Sequence, residues 1–173
     1  MRNLEFKARL EDSSHVLGIV RRLGGDLWGD LRQTDTYFAV ANGRLKVRET
    51  PGFPAYLIYY ERDEAAADRP SDYDLARSDD AVAMKNMLST ALGVLGVVRK
   101  QRRLLLLDTT RVHLDNVEGL GSFIEIEVPV KTPEAEPQAR EQFEALIDAL
   151  GLDRRDGLRL SYLDLMLQKE TTA

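Results

Sequence analysis

Period-2 alternation dominates this chain. Leu4, Phe6, Ala8 and Leu10 alternate with Asn3, Glu5, Lys7 and Arg9, as in a strand with one face on a core and the other polar. The same pattern predicts strands over residues 31–40, 44–50, 55–62, 71–76, 110–117 and 122–130. Residues 94–107 read either as one long strand or as two, broken near Arg102. Turn signals separate the strands at Ala41-Asn42-Gly43, Thr50-Pro51-Gly52 and Glu118-Gly119-Leu120-Gly121. The charged, Ala-rich stretch 63–70 is expected to be a mobile loop.

Helical spacing predicts three longer helices and a short fourth. The first is capped by Ser13 or Ser14, runs to Leu23 and stops at Gly24-Gly25. A second, over 78–92, has Asp79 and Asp80 in its first turn and ends at Gly93. The third spans about 136–150, with Phe143, Leu146, Ile147 and Leu150 on one face; the fourth covers 160–168. Strands outnumber helices and do not alternate with them, so the class is an antiparallel α+β fold, not a parallel nucleotide-binding sheet.

The chain has 173 residues, 43% hydrophobic and 31% charged, which fits a single domain spanning 1–173. It contains no cysteine, excluding a disulfide scaffold, thiolate metal ligation and cysteine catalysis. Apolar runs fall far short of the ~20 residues of a membrane span. The first residues show no apolar leader pattern, so the expected location is cytoplasmic, with no membrane partner. A net charge of −5 argues against a nucleic-acid partner; any anion site must be a local basic cluster.

Such a cluster is written into the strand faces. Residues i and i+2 of a strand point the same way. Arg44, Lys46 and Arg48 therefore share one face, and so do Lys100 and Arg102; Arg62 ends a strand on the side of Ile58 and Tyr60. Glu125 and Glu127 share another face, Arg111, His113 and Asp115 a third, and Glu5 and Lys7 form a mixed pair. One wet face of a sheet produces charged rows routinely. Sorting by sign is less ordinary, because like charges on neighbouring positions repel unless something neutralises them. Turned into a barrel, the basic rows would suit a chain of phosphates and the acidic ones a hard divalent cation such as Mg²⁺ or Mn²⁺. His113 reads more simply as a hydrogen-bonded structural residue, His15 as exposed, and Trp28, Tyr37 and Phe38 as core or rim.

Several segments resemble, in order, those of the CYTH domains, or triphosphate tunnel metalloenzymes. Asn3-Leu4-Glu5-Phe6-Lys7 is similar to the family's N-terminal Glu-x-Glu-x-Lys signature. The likeness continues through Asp35-Thr36-Tyr37-Phe38, Gly43 to Glu49, Leu57 to Arg62, Val98 to Arg102, His113 to Gly121, Phe123 to Glu127 and Ser161 to Leu165. Its wording is nearest the class IV adenylate cyclase-like branch. The resemblance implies an eight-stranded antiparallel β-barrel with flanking helices, a small-molecule triphosphate substrate such as ATP, and Mg²⁺ or Mn²⁺ as cofactor. It implies Glu5, Glu125 and Glu127 as metal ligands, with Asp115 a further acidic contributor and Lys7 beside them in catalysis. Lys7, Arg44, Lys46, Arg62, Lys100 and Arg102 would hold the triphosphate, with Arg48 at the tunnel mouth and Arg69 over bound substrate. Ser161-Tyr162 would pack against one tunnel end or touch ligand, and a homodimer is compatible with the family. The reaction implied is ATP cyclisation or triphosphate hydrolysis, with a non-catalytic triphosphate or polyphosphate binder as third reading. The departure is Asn3 in place of the first signature glutamate. A neutral amide is a poorer ligand for a hard cation, which weakens or removes that contact and leaves carboxylates enough for one metal.

Overall fold

The computed structural model describes residues 1–62 and 69–172; of Arg62, Arg69, Pro70 and Thr172 only the backbone is described. Eight strands close into one antiparallel barrel: β1 (Arg2–Arg9), β2 (Asp26–Phe38), β3 (Arg44–Glu49), β4 (Ala55–Arg62), β5 (Arg69–Ser78), β6 (Val94–Leu107), β7 (Thr110–Val117) and β8 (Gly121–Val130). Around the barrel the order is β1-β5-β4-β3-β2-β6-β7-β8, and β8 pairs back onto β1. Four helices flank it: α1 (Ser13–Arg22), α2 (Ala81–Leu92), α3 (Glu136–Ala149) and α4 (Tyr162–Thr172).

Alternation decides which way each side chain faces, and here the apolar set faces out. Leu4, Phe6 and Ala8 of β1, Leu105 of β6, Val112 and Leu114 of β7, and Ile124, Ile126 and Val128 of β8 form the barrel's outer wall. α1 covers it with Val16, Ile19 and Val20, and α3 with Ala139, Phe143, Leu146 and Ile147. α2 covers Phe38, Val47 and Ala55 with Met84 and Leu88. Most of the hydrophobic core therefore lies between barrel and helices, with a second cluster of Tyr37, Tyr60, Val98, Val117 and Phe123 on inward-facing positions around Tyr162, and the rest of the lumen is left to polar groups.

Two glycines allow close approaches. Gly43, at φ 64°, turns β2 into β3, and a Cβ there would meet Tyr59 and the Tyr60 carbonyl at 2.8 Å. At Gly96 a Cβ would fall 2.6 Å from Leu163, so a bare backbone lets α4 seat against β6. The cap of α1 is Asp12 rather than Ser13 or Ser14, its carboxylate accepting from the backbone N–H groups of Ser14 at 2.8 Å and His15 at 3.3 Å. Asp12→Ala should destabilise the protein by about 1 kcal/mol, read as a lowered urea midpoint with an unchanged slope.

The strand expectations hold with shifted ends: β2 stops at Phe38 rather than 40 and β3 at Glu49 rather than 50. β2 begins at Asp26 rather than 31, where β6 runs alongside it to Leu106. β6 is continuous through Arg102, so the two-strand alternative is corrected: Arg102 and Lys100 face the lumen in an unbroken ladder with β7. β5 already pairs with β1 at Arg69 and Pro70, the end of the stretch expected to be a mobile loop; the rest of that stretch lies outside the described residues. α2 starts at Ala81 with Asp80 as its cap, and the last helix begins at Tyr162 rather than 160.

Candidate active site

The inward faces enclose a cavity of about 300 Å³. β1 contributes Asn3, Glu5 and Lys7; β2 contributes Leu31, Gln33, Asp35 and Tyr37; β3 contributes Lys46 and Arg48. Lys100, Arg102 and Leu104 come from β6, Arg111 and His113 from β7, and Glu125 and Glu127 from β8. Ser161 and Tyr162 at the start of α4 line it too. Tyr162 is buried among Tyr37, Tyr60, Val98 and Phe123 and donates a 2.9 Å hydrogen bond to Asp115. Lys7 lies 4.4 Å and Lys100 5.1 Å from the centre of its ring, so the tyrosine presents a π face to two cations.

Pairing of opposite charges makes this burial tolerable. Asp35 is the hub on the β2–β3 side: both its oxygens accept from Arg48, at 2.7 and 2.6 Å, and Lys46 adds 2.9 Å. Asp115 is the hub on the β6–β7 side, held by Arg102 at 2.7 and 2.6 Å and by Lys100 at 3.2 Å. The Arg102 guanidinium also reaches Glu125 at 2.7 Å, and Lys7 stands 3.3 Å from the other oxygen of Glu125. Glu127 accepts from Arg111 at 2.8 Å.

These neighbours set the proton affinities. Burial alone would raise Asp35, but Arg48 and Lys46 outweigh it and hold the carboxyl well below its usual range. Burial likewise opposes ionisation of Glu125, and Lys7, His113 and Arg102 reverse it. Burial and Arg102 push Lys100 down to about 7 despite Asp115. His113 is lowered by burial first and by Arg102 second.

Three side chains form a site with metal-ligand chemistry. One donor atom each from His113, Glu125 and Glu127 lies within 4.8 Å of the others. Glu5 lines the same cavity, opposite Glu127 in the β1–β8 register. Carboxylate oxygens suit a hard divalent cation, and the imidazole adds a donor that the sequence reading treated as structural. Asn3 is buried, and in the amide orientation that satisfies both ends it accepts from Arg111 at 3.0 Å and donates to the Arg2 carbonyl at 3.1 Å. The amide that stands in place of the signature's first carboxylate is thus held by the Arg111 guanidinium.

Of the residues singled out in the sequence, Lys7, Lys46, Arg48, Lys100, Arg102, Glu5, Glu125 and Glu127 come together in the cavity. Asp115 sits behind Lys100 and Arg102, and Arg44 turns to Asp164 of α4 at 2.9 Å and does not line the cavity. The side chains of Arg62 and Arg69 lie outside the described residues. Gln33, Asp35 and Arg111 are lumen residues that sequence reasoning did not assign a role. Their signal was alternation: Leu31, Gln33, Asp35 and Tyr37 share one face of β2 opposite Phe38's. His15 is exposed, Tyr37 and Phe38 are buried, and Trp28 lies half-exposed against Phe53 at the surface.

A closed antiparallel barrel with most of its core outside and its ion pairs inside defines the class of the protein. The chain belongs to the CYTH domain family, whose model matches residues 1–162. It is 23% identical over 95% of its length to a "Putative adenylate cyclase" of Methanocaldococcus jannaschii, covering 98% of that protein. A solved structure from Pyrococcus horikoshii is similar at 25% identity and a TM-score of 0.81, covering 94% of this chain and 98% of that one. The fold is shared with a Hippeastrum protein described as a putative adenylyl cyclase with a dominant triphosphatase activity, at 16% identity and a TM-score of 0.67 over 98% of this chain and 96% of that one. Among the described residues, no helix is long and apolar enough to cross a membrane.

Proposed function

We propose that the protein is a metal-dependent enzyme acting on triphosphates inside its barrel, with ATP cyclisation to cyclic AMP and pyrophosphate as the reaction. The observation that carries this reading is the convergence of Lys7, Lys46, Arg48, Lys100 and Arg102 with Glu125 and Glu127 in one cavity. Family membership and the names borne by its relatives support it.

In this mechanism the cations hold the phosphate chain: Arg48 and Arg102 through the N–H groups their carboxylate partners leave over, Lys7, Lys46 and Lys100 as point charges. Asp35 and Asp115 keep those groups aimed in the absence of substrate, so little reorganisation accompanies binding. The three donors around Asp115 support a positioning role for it rather than metal ligation. Glu125, Glu127 and Glu5, with His113 beside them, would hold Mg²⁺ or Mn²⁺, which supplies charge neutralisation at the reacting phosphoryl group. Arg102, Lys100 and Lys7 stabilise the charge that develops on the departing pyrophosphate, and the nucleophile is the 3′-hydroxyl of the ribose.

Hydrolysis of the terminal phosphate is the second reading. The density of phosphate-binding charge beside Tyr162, at the α4 end of the lumen, favours it, because a terminal phosphate seated there would be the most firmly held. Incubation with ATP and Mg²⁺ or Mn²⁺, and separately with tripolyphosphate, separates the readings by product. Cyclic AMP with pyrophosphate is expected; orthophosphate from either ligand would favour hydrolysis. Thermal stabilisation by both ligands without turnover would leave a triphosphate binder.

A further inference from the structure

Nearly all the charge in the lumen is paired, but one neutral group has an unmet need. Gln33 projects from the inward face of β2, across from Lys100 on β6, and is 7% exposed. Among the described residues its Oε1 has no hydrogen-bond partner. Buried polar atoms are nearly always satisfied, and an unpartnered one on a side chain that lines a binding cavity marks a group that a small turn of its amide offers to a ligand. The nearby cations are committed elsewhere: Lys46 and Arg48 to Asp35, Lys100 and Arg102 to Asp115.

A phosphate chain cannot fill this vacancy. Ionised phosphate oxygens accept hydrogen bonds and do not donate them, and an amide oxygen facing them is repelled. The missing partner is a donor, such as a hydroxyl or an amine. The lining of the same cavity also has an apolar part, from Leu31 on the strand of Gln33, Leu104 on β6 and Leu75 on β5. Leu75 is 44% exposed, so this apolar sector reaches the open side of the cavity. Leucines offer nothing to a bare phosphate but bury the faces of a sugar or a heterocycle well.

We infer that Gln33 is a specificity-determining residue whose Oε1 accepts a hydrogen bond from a hydroxyl or amino group on the organic part of a nucleoside triphosphate. The cavity thereby prefers such a ligand over inorganic triphosphate. This rests on reading the lumen as a triphosphate site. An acceptor placed among donors distinguishes ligands by the part that is not phosphate, because a ligand lacking the donor leaves Oε1 unsatisfied.

Affinities for ATP and for tripolyphosphate, measured by titration calorimetry in EDTA and by thermal shift with Mg²⁺, test it on wild type and Gln33→Leu. The variant should bind ATP about tenfold more weakly and tripolyphosphate within twofold of wild type. Loss of both ligands equally, or of neither, would overturn the inference. A second arm needs no variant: wild type is titrated with 2′-deoxy-ATP, 3′-deoxy-ATP and N6,N6-dimethyl-ATP. One of the three should bind about tenfold more weakly than ATP, identifying the donor; equal binding of all four nucleotides would refute the role. If wild type binds neither ATP nor tripolyphosphate, the triphosphate reading itself fails, an outcome distinct from loss of discrimination.

Discussion

Glu125→Gln should reduce kcat by about 10²–10³-fold, the usual consequence of removing one preorganised electrostatic group from a reacting centre. Glu125 has three partners among the described residues: Lys7 on one oxygen, Arg102 on the other, and His113 at 3.5 Å. Glutamine keeps the shape and loses the charge, so Lys7 and Arg102 would be balanced differently, and a divalent cation would have one oxyanion fewer. The variant should stay folded, because Ile124 and Ile126 on either side still pack outward beneath α1 and α3. A loss of about 1–3 kcal/mol in stability, with the circular dichroism spectrum retained, is the expected cost of the weakened pairing. Wild-type kcat in Glu125→Gln would remove this residue from the proposed chemistry.

The barrel was readable because its alternation is unusually strict. Leu4, Phe6 and Ala8 could only share a face, and so could Glu5 and Lys7. Which face is the core was not readable, since period 2 is the same for a barrel filled with leucines and for one filled with ions. Sign sorting hinted at the answer: Glu125 and Glu127 crowd together, and the neutralising cations came from β1, β6 and β7. Those partners are far apart in sequence, as Lys7 and Glu125 illustrate, and only barrel closure between β1 and β8 sets them opposite each other.

Other features escaped for local reasons. Asp35 and Gln33 sit in a strand whose neighbours are Leu31 and Tyr37, so neither forms a charged row. Arg44 has the parity of Lys46 and Arg48, yet it lies at the strand end, where Asp164 of α4 is nearer than the lumen. Parity predicts direction, but not which partner competes for a flexible arginine. The start of β2 was missed because Trp28 and Leu27 lie exposed beyond the helices, where alternation has no core to record.

The largest stability effect is expected at Asp35. Its side chain is 2% exposed and is the shared partner of Lys46 and Arg48. Asp35→Asn would leave two buried cations side by side without their counter-charge, and removing one member of a buried ion pair costs about 3–5 kcal/mol. Urea unfolding at pH 7 should show that loss. The pH dependence gives an independent signature. Arg48 and Lys46 hold the folded-state pKa of Asp35 well below the free value of 3.8, so as acid is added the unfolded chain takes up this proton first. The stabilisation is therefore complete above about pH 4 and is lost progressively below it. The variant has no such group to titrate, so its stability should fall less steeply from about pH 4 to pH 2, and the gap between the two proteins should narrow in acid. Parallel acid limbs would mean that Asp35 is protonated alike in both states, and the ion pairs that aim Lys46 and Arg48 into the lumen would then contribute nothing to holding the empty site open.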